Sequence, residues 1–378
     1  MRLRRRTARR AAGAVLGLAL LAGCTAPGAT PAPDTAPFQT AADRRAAALR
    51  TGPLAEVPLT SWSYRVTDVR RLGDDRATAR AELNYRVTGY DDGAVTGRRA
   101  LELVRRGGAW QVTSDRPAPG APRQLWEQGA VEVVRGKRSL VLGSGRDTAR
   151  LRAVAAAADR AVPAVSAAWP EGWARRVVVL VPGSLNEMGG LLGEPAAGYR
   201  GIAAVTTGRV GGGPGAPADR VIVNPEAYAV LGAYGQRFVL THETTHVATR
   251  THTSGLTPLW LSEGFADWAA HRGASRAPAE AAPRLGEAVR SGDVPAALPV
   301  DGDFSFASDA AALARAYEGA WLACQLIAER WGEDRLRDFY RTVSSQGPET
   351  ALHEVLGTTT DAFTARWREY LRERLAAG

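Results

Sequence analysis

The five residues His242-Glu243-Thr244-Thr245-His246 constrain this chain more than any others. Two histidines four positions apart can aim both imidazoles at one ion only from a single face of a helix. The flanking residues 236–240 and 247–248 are compatible with a buried helix. A second helix-like run, Trp260-Leu261-Ser262-Glu263-Gly264-Phe265-Ala266-Asp267, follows shortly downstream. The fold must therefore bring two helices together around whatever the histidines hold. Zinc takes neutral imidazole and carboxylate, and a catalytic zinc site uses three protein ligands, leaving a fourth position for water. Glu243, next to His242, is placed beside that water rather than on the metal. Its expected role is to take the water's proton, the ion having lowered the water's pKa towards ~7.

Two residues compete for the third ligand position. His252 lies six residues beyond His246, the spacing used by metzincins. Those enzymes turn the chain sharply at a glycine midway, where this chain has Thr249. A β-branched residue is a poor occupant of positive φ. They also require a methionine turn downstream, yet the only methionines are Met1 and Met188. Glu263 is the favoured third ligand. Asp267, four residues later and on the same face, is placed to accept the second N–H of a ligating histidine and fix its tautomer.

The two segments together resemble the gluzincin peptidases, specifically the peptidase MA-like domains related to aminopeptidase N. That resemblance implies one zinc ion per chain on His242, His246 and Glu263. It also implies an oxyanion-stabilising tyrosine at the start of a later helix, which maps onto Tyr317 in Ala316-Tyr317-Glu318-Gly319-Ala320-Trp321. Two features depart from the pattern. The interval from His246 to Glu263 is slightly short, and the Gly-x-Met-Glu-Asn segment that anchors a free amine has no counterpart. Gly201-Ile202-Ala203-Ala204-Val205 stands in its place. As a plain edge strand, Ala203, Ala204 and Val205 would bind an extended peptide through main-chain hydrogen bonds. Without the acidic anchor, endopeptidase or undefined peptidase action is expected rather than aminopeptidase action.

The fold class expected is α+β. Residues 41–124 show a short helix (41–50), then alternating runs at Trp62, Tyr64 and Val66 and at Ala81, Leu83, Tyr85 and Val87, with turn signals at Asp91-Asp92-Gly93 and Gly107-Gly108. A helix on a curved antiparallel sheet loosely resembles the nuclear-transport-factor-like fold. Residues 125–378 form the expected peptidase domain, strand-rich in its first half and helical after Tyr228. Within it, 131–134 and 139–142 suggest a hairpin, and 146–169 a helix that Pro163 kinks or ends. Asp301, Asp303 and Asp309 lie in an irregular stretch and are expected to face water.

Residues 1–23 read as a lipoprotein signal peptide: six arginines, an apolar stretch too short to span as a mature helix, and Leu21-Ala22-Gly23-Cys24, which resembles a lipobox. Cys24 would carry the lipid, and residues 24–40, rich in Pro, Ala and Thr, would tether the folded part to the cell membrane on its extracellular side. The net charge is +9, but those six arginines lie in the leader, and the small remaining surplus is not the footprint of a nucleic-acid binder. With Cys24 acylated, Cys324 is left alone in an apolar helical run, so an intramolecular disulfide and a cysteine zinc site are both excluded. The expected function is an extracellular, membrane-anchored zinc peptidase acting on a peptide or protein substrate. The alternative is a lipid-anchored envelope binding or assembly protein with a degenerate peptidase domain. Oligomeric state is not legible.

Overall fold

The computed structural model describes residues 34–145, 147–208, 215–273, 276–306 and 309–376. The leader, Cys24 and the first part of the expected tether lie outside these residues. The first helix, α1 (Ala36–Thr51), begins inside the segment read as tether. Phe38, Ala41 and Ala42 are buried, so the apolar stripe starts before residue 41 and the helix starts with it.

Four strands follow, β1 (Leu59–Arg71), β2 (Arg76–Val87), β3 (Val95–Arg106) and β4 (Ala109–Pro117), forming an antiparallel sheet in that order. The alternating residues expected to face inward do so: Tyr64, Ala81, Leu83 and Val87 are buried. Gly107 and Gly108 both take positive φ, 56° and 79°, which a two-residue hairpin between right-twisted strands demands. Register shifts at Val66/Asp68 and Glu102/Leu103 bend the sheet, and α1 packs on it, with Phe38 4.8 Å from Trp110. Within this layer Arg99, 2% exposed, pairs with Asp115 and Glu127 at 2.7 and 2.6 Å. Tyr64 donates a 2.7 Å hydrogen bond to the same Asp115.

The second sheet has the order β5-β6-β7-β9-β8. Its strands are β5 (Val131–Arg135), β6 (Ser139–Ser144), β7 (Val177–Val181), β8 (Ala204–Thr207) and β9 (Arg220–Val223). The central three run parallel, and β5 and β8 are antiparallel edges. The expected hairpin is the β5–β6 pair. Helix α2 (Thr148–Ala168) makes the crossover from β6 to β7, capped by Asp147, whose carboxylate accepts the Arg150 N–H at 3.0 Å. It runs through Pro163 to Ala168 rather than ending there. Proline removes one backbone hydrogen bond, and the fully buried Val162, Val165 and Ala168 hold the last turn in place.

One face of this sheet, through Val141, Val179 and Val221, packs on α2 and on Leu240 of α5 (Ala233–Thr249). The other face, through Leu140, Leu142, Val178 and Ile222, shares an apolar cluster with the first sheet. With both faces covered, the central strands can be near-continuous aliphatic runs. Asp91, buried in the turn after β2, accepts both 2.8 Å bonds from Arg220 Nη2 at the start of β9, and fastens the two sheets.

The remainder is helical: α3 (Leu185–Leu192) and α4 (Pro225–Ala229) precede α5, followed by α6 (Leu259–His271), α7 (Pro278–Ala281) and α8 (Pro283–Arg290). Four more close the chain: α9 (Ala310–Trp331), α10 (Glu333–Gln346), α11 (Pro348–Leu356) and α12 (Thr360–Leu375). Trp260, Phe265, Trp268, Cys324, Tyr340 and Trp367 belong to one core cluster among these helices. Burial pushes the Cys324 thiol well above its ordinary pKa, as suits a core residue. No helix among the described residues is long and apolar enough to cross a membrane.

Helices α6 and α9 meet at Gly264. A Cβ there would lie 2.6 Å from the Ala320 carbonyl carbon, nearer still to its oxygen, and 3.1 Å from Cys324 Sγ. Backbone cannot yield as a flexible side chain does, so Gly264→Ala must push the helices apart. The expected cost is about 2–3 kcal/mol, seen as a Tm drop on the order of 5 °C by calorimetry, with metal affinity lowered because Glu263 adjoins the displaced residue. An unchanged Tm would show that the crossing is slack.

Candidate metal centre

Helix α5 carries His242 and His246 one turn apart, both turned into a cleft of about 680 Å³ that Glu243, Glu263, Asp267 and Tyr317 also line. The side of α5 turned from the cleft is filled by threonines. Thr241, Thr245 and Thr249 each donate a hydroxyl to the carbonyl four residues back, at 2.8 to 3.0 Å. Back-bonding lets these buried hydroxyls satisfy themselves inside the helix, so a polar sequence forms a buried element. Helix α6 delivers Glu263. Its first N–H, from Leu259, is accepted by Asp301 at 2.8 Å. Asp309 accepts the N–H groups of Ala311 and Ala312 at the start of α9, and Asp303 that of Val300. The loop carboxylates expected simply to face water therefore cap backbone, and two of them position helices that carry site residues.

Three donor atoms converge. His242 Nε2 and His246 Nε2 are 3.1 Å apart, and Glu263 Oε2 lies 3.2 Å from the first and 3.5 Å from the second. Tetrahedral zinc with bonds of ~2.0–2.1 Å requires ligand–ligand edges of roughly 3.3–3.4 Å. The triangle matches that requirement, and among the described residues it is the group of His, Cys, Asp and Glu able to hold a metal ion. The donor set of two imidazoles and one carboxylate is also one that zinc accepts.

Asp267 Oδ1 lies 2.7 Å from His242 Nδ1. With that nitrogen protonated and donating, the Nε2 lone pair is left to face the centre. Burial disfavours the charged imidazole, but the Asp267 and Glu263 carboxylates outweigh it and raise His242 well above its ordinary value. Burial likewise works against ionised Glu263, yet the charge on His246 and hydrogen bonds from both imidazoles pull its carboxyl well below the usual range. The pocket thus favours a positive charge at the centre of the triangle.

Glu243, buried one residue on from His242, meets a partner that sequence reasoning missed. The Thr206 hydroxyl on β8 donates to Glu243 Oε2 at 2.6 Å, with the Glu243 carbonyl 3.0 Å from the same oxygen. No sequence signal distinguishes Thr206, because only the packing of β8 on α5 brings the two together. Tyr317 on α9 has its ring 5.2 Å from Phe304 and 6.3 Å from His242. Burial first, then the charges of Glu263, Asp267 and Glu243, push its hydroxyl far above the ordinary value, so it remains a neutral donor. His252 stands elsewhere, its ring 5.4 Å from Trp169 and its basicity lowered by burial. His271, at the end of α6, pairs with the Tyr234 hydroxyl at 3.1 Å and packs on Trp321.

Ala203, Ala204 and Val205 line the opposite wall of the cleft. Asn224 N–H donates to the Ala203 carbonyl, and β8 ends the sheet. By antiparallel alternation, the main-chain groups of Ala204 and Thr206 then turn to the open edge.

No family model and no curated protein matches the chain. Among solved structures it is similar to native yeast LTA4 hydrolase, at 11% identity and a TM-score of 0.37, over 82% of this chain and 58% of that one. The chain thus spans less than two thirds of that structure's length.

The geometry predicts metal-linked stability. Adding zinc to the chelator-treated protein at about a thousandfold excess over Kd stabilises by about 4 kcal/mol, a Tm rise on the order of 5–10 °C. Glu263→Ala should remove that rise and His252→Ala should leave it intact. Asp267→Asn should weaken zinc binding about 10–100-fold. A zinc response that follows His252 instead of Glu263 overturns the ligand assignment.

Proposed function

We propose that the chain is a zinc-dependent peptidase of the gluzincin type, with His242, His246 and Glu263 as the metal ligands and one ion per chain. The single observation that carries this reading is the 3.1 to 3.5 Å triangle of donor atoms beside a buried carboxylate, Glu243, that is not part of it. When bound, zinc supplies Lewis acidity, acidifying water and polarising a carbonyl. Glu243 takes the proton of the attacking water and returns it to the leaving amine. Thr206 holds the Glu243 carboxylate in one orientation, so no rotamer has to be selected during turnover. Tyr317, kept neutral, donates a hydrogen bond to the oxyanion. The open edge at Ala204 and Thr206, within the Ala203 to Val205 wall, aligns an extended peptide as an added strand.

Among the described residues three carboxylates line the cleft, Glu243, Glu263 and Asp267, and each already has a task at the metal centre. None is left over to anchor a substrate's free amine, which supports internal cleavage. We further propose that Cys24 carries a lipid, that the peptidase stands outside the cell membrane, and that residues 41–124 form a nuclear-transport-factor-like module ahead of it.

Glu243→Gln should lower kcat at least about a thousandfold while zinc content stays at one per chain. Retained hydrolysis by this variant would sink the mechanism. Thr206→Val should lower kcat about tenfold, with KM and zinc content little changed. Peptides with acetylated N-termini should be cleaved as fast as their free-amine counterparts; a strong preference for the free amine would reverse the assignment to internal cleavage.

A further inference from the structure

One face of the first sheet is covered, and Leu83, Leu101 and Leu103 on it are buried. The other face is open and one-sided in charge. The ladder sets Arg70 against Thr78, Asp68 against Arg80, and Glu82 against Arg98, and directly opposed residues share a face. Arg70, Arg76, Arg80, Arg98 and Arg106 all lie on this open face and are exposed. None of the five has a side-chain hydrogen bond or ion pair among the described residues. Two further arginines of the face, Arg65 and Arg116, pair with Glu82 and Glu102. Asp68 is then the carboxylate of the face left to set against the five, while Asp74 and Asp75 stand beyond the ladder in the turn. In the order Arg98, Arg80, Arg70, Arg76, Arg106 the five follow one another diagonally across the strands. Each diagonal step is roughly 7–8 Å. That is within a Debye length at physiological salt, about 8 Å, so the row repels itself.

We propose that this face is a docking surface for an anionic phospholipid bilayer. A row of like charges held at fixed spacing on an open sheet is relieved by a partner that presents many separate anions. Each basic side chain brought to such a surface adds about fivefold to partitioning. The relief of the face suits a flat partner. Between the arginines stand short polar side chains, Ser61, Ser63, Thr78 and Thr96, and the large aliphatic residue among them is Val104. The face thus lacks the cluster of apolar anchors that a protein partner's pocket would take. It also offers no aromatic ring on which a base could stack. The lipid proposed on Cys24 would supply proximity: α1 starts at Ala36, twelve residues on, a reach of about 40 Å at full extension. Only the proximity depends on Cys24; the charge pattern does not.

Co-sedimentation of the compact unit Thr35–Gly378, which holds both sheets and all the helices but not Cys24, tests the face apart from the lipid. At low salt, vesicles of phosphatidylglycerol and phosphatidylcholine mixed about one to three should take up the protein at least about a hundredfold better than phosphatidylcholine alone. The difference should vanish at salt on the order of 0.5 M. Arg70→Gln/Arg80→Gln/Arg98→Gln should lower uptake on the mixed vesicles at least about thirtyfold. The same charge removed from exposed positions of α2, α10 and α12, by Arg152→Gln/Arg335→Gln/Arg372→Gln, should lower it less than about threefold. Both variants should keep the Tm of the unaltered protein. Equal uptake on the two kinds of vesicle, or equal losses in the two triple variants, overturns the proposal. A short DNA duplex that strips the protein from the mixed vesicles at equal phosphate concentration also overturns it, and makes the face a nucleic-acid interface. Neither the lipid on Cys24 nor the metal centre enters the measurement, so its failure leaves both readings standing.

Discussion

Three lone-pair-bearing atoms held within 3.1 to 3.5 Å of one another are the constraint on which this fold depends. Left without a cation such a cluster repels itself, and in a buried setting the repulsion is not screened. A proton shared with the carboxylates is one answer, and the raised basicity of His242 reflects it. A divalent ion is a better one, because it satisfies all three donors at once. The protein commits much of its helical half to enforcing this proximity. Gly264 lets α6 press on α9, Asp301 and Asp309 cap those two helices, and Asp267 locks one imidazole. Each device removes a freedom by which the cluster could relax apart.

The strand layer is tied to the same centre by shorter links. Asp91 satisfies Arg220 and the Ala218 and Val87 N–H groups, so β9 is pinned to the turn after β2. β9 in turn pairs with β8, and Thr206 of β8 reaches Glu243. The Glu243 carboxylate is therefore oriented by a strand, while the donor atoms of His242, His246 and Glu263 are delivered by helices. Separate supports hold the Glu243 carboxylate outside the donor triangle although Glu243 is covalently adjacent to His242.

Much of this was legible before any coordinates. The spacing of His242, His246, Glu263 and Asp267 encodes a surface of two helices, and helical periodicity is local. The alternation in β1 and β2 was legible for the same reason. What escaped was non-local. Thr206 and Glu243 are 37 residues apart, and Asp91 and Arg220 are 129 apart; no pattern on either side announces the pairing. Arg99, Asp115 and Glu127 are scattered along the sequence, and only the closure of the sheet over them makes a buried cluster. Pro163 shows the reverse case: the helix does not end there, and the residues around it are held by tertiary burial.

The metal cleft and the space between the two sheets differ in chemistry. In the metal cleft the carboxylates among the described residues, Glu243, Glu263 and Asp267, gather at the donor triangle, and under the proposed peptidase reading a substrate would be held by main-chain groups on β8, which are indifferent to side-chain identity. Under the same reading selectivity would come from shape along the cleft, where Phe238, Leu259, Phe306 and Leu313 supply apolar walls. Between the sheets the balance is inverted: backbone groups are consumed in ladders, and what lines the space is mostly aliphatic surface. The β8–β9 pair borders both spaces. A shift of that ribbon by a few tenths of an ångström would alter the Thr206–Glu243 bond at 2.6 Å, since hydrogen-bond strength falls steeply with misalignment. The strand that orients Glu243 thus borders both the cleft and the space between the sheets.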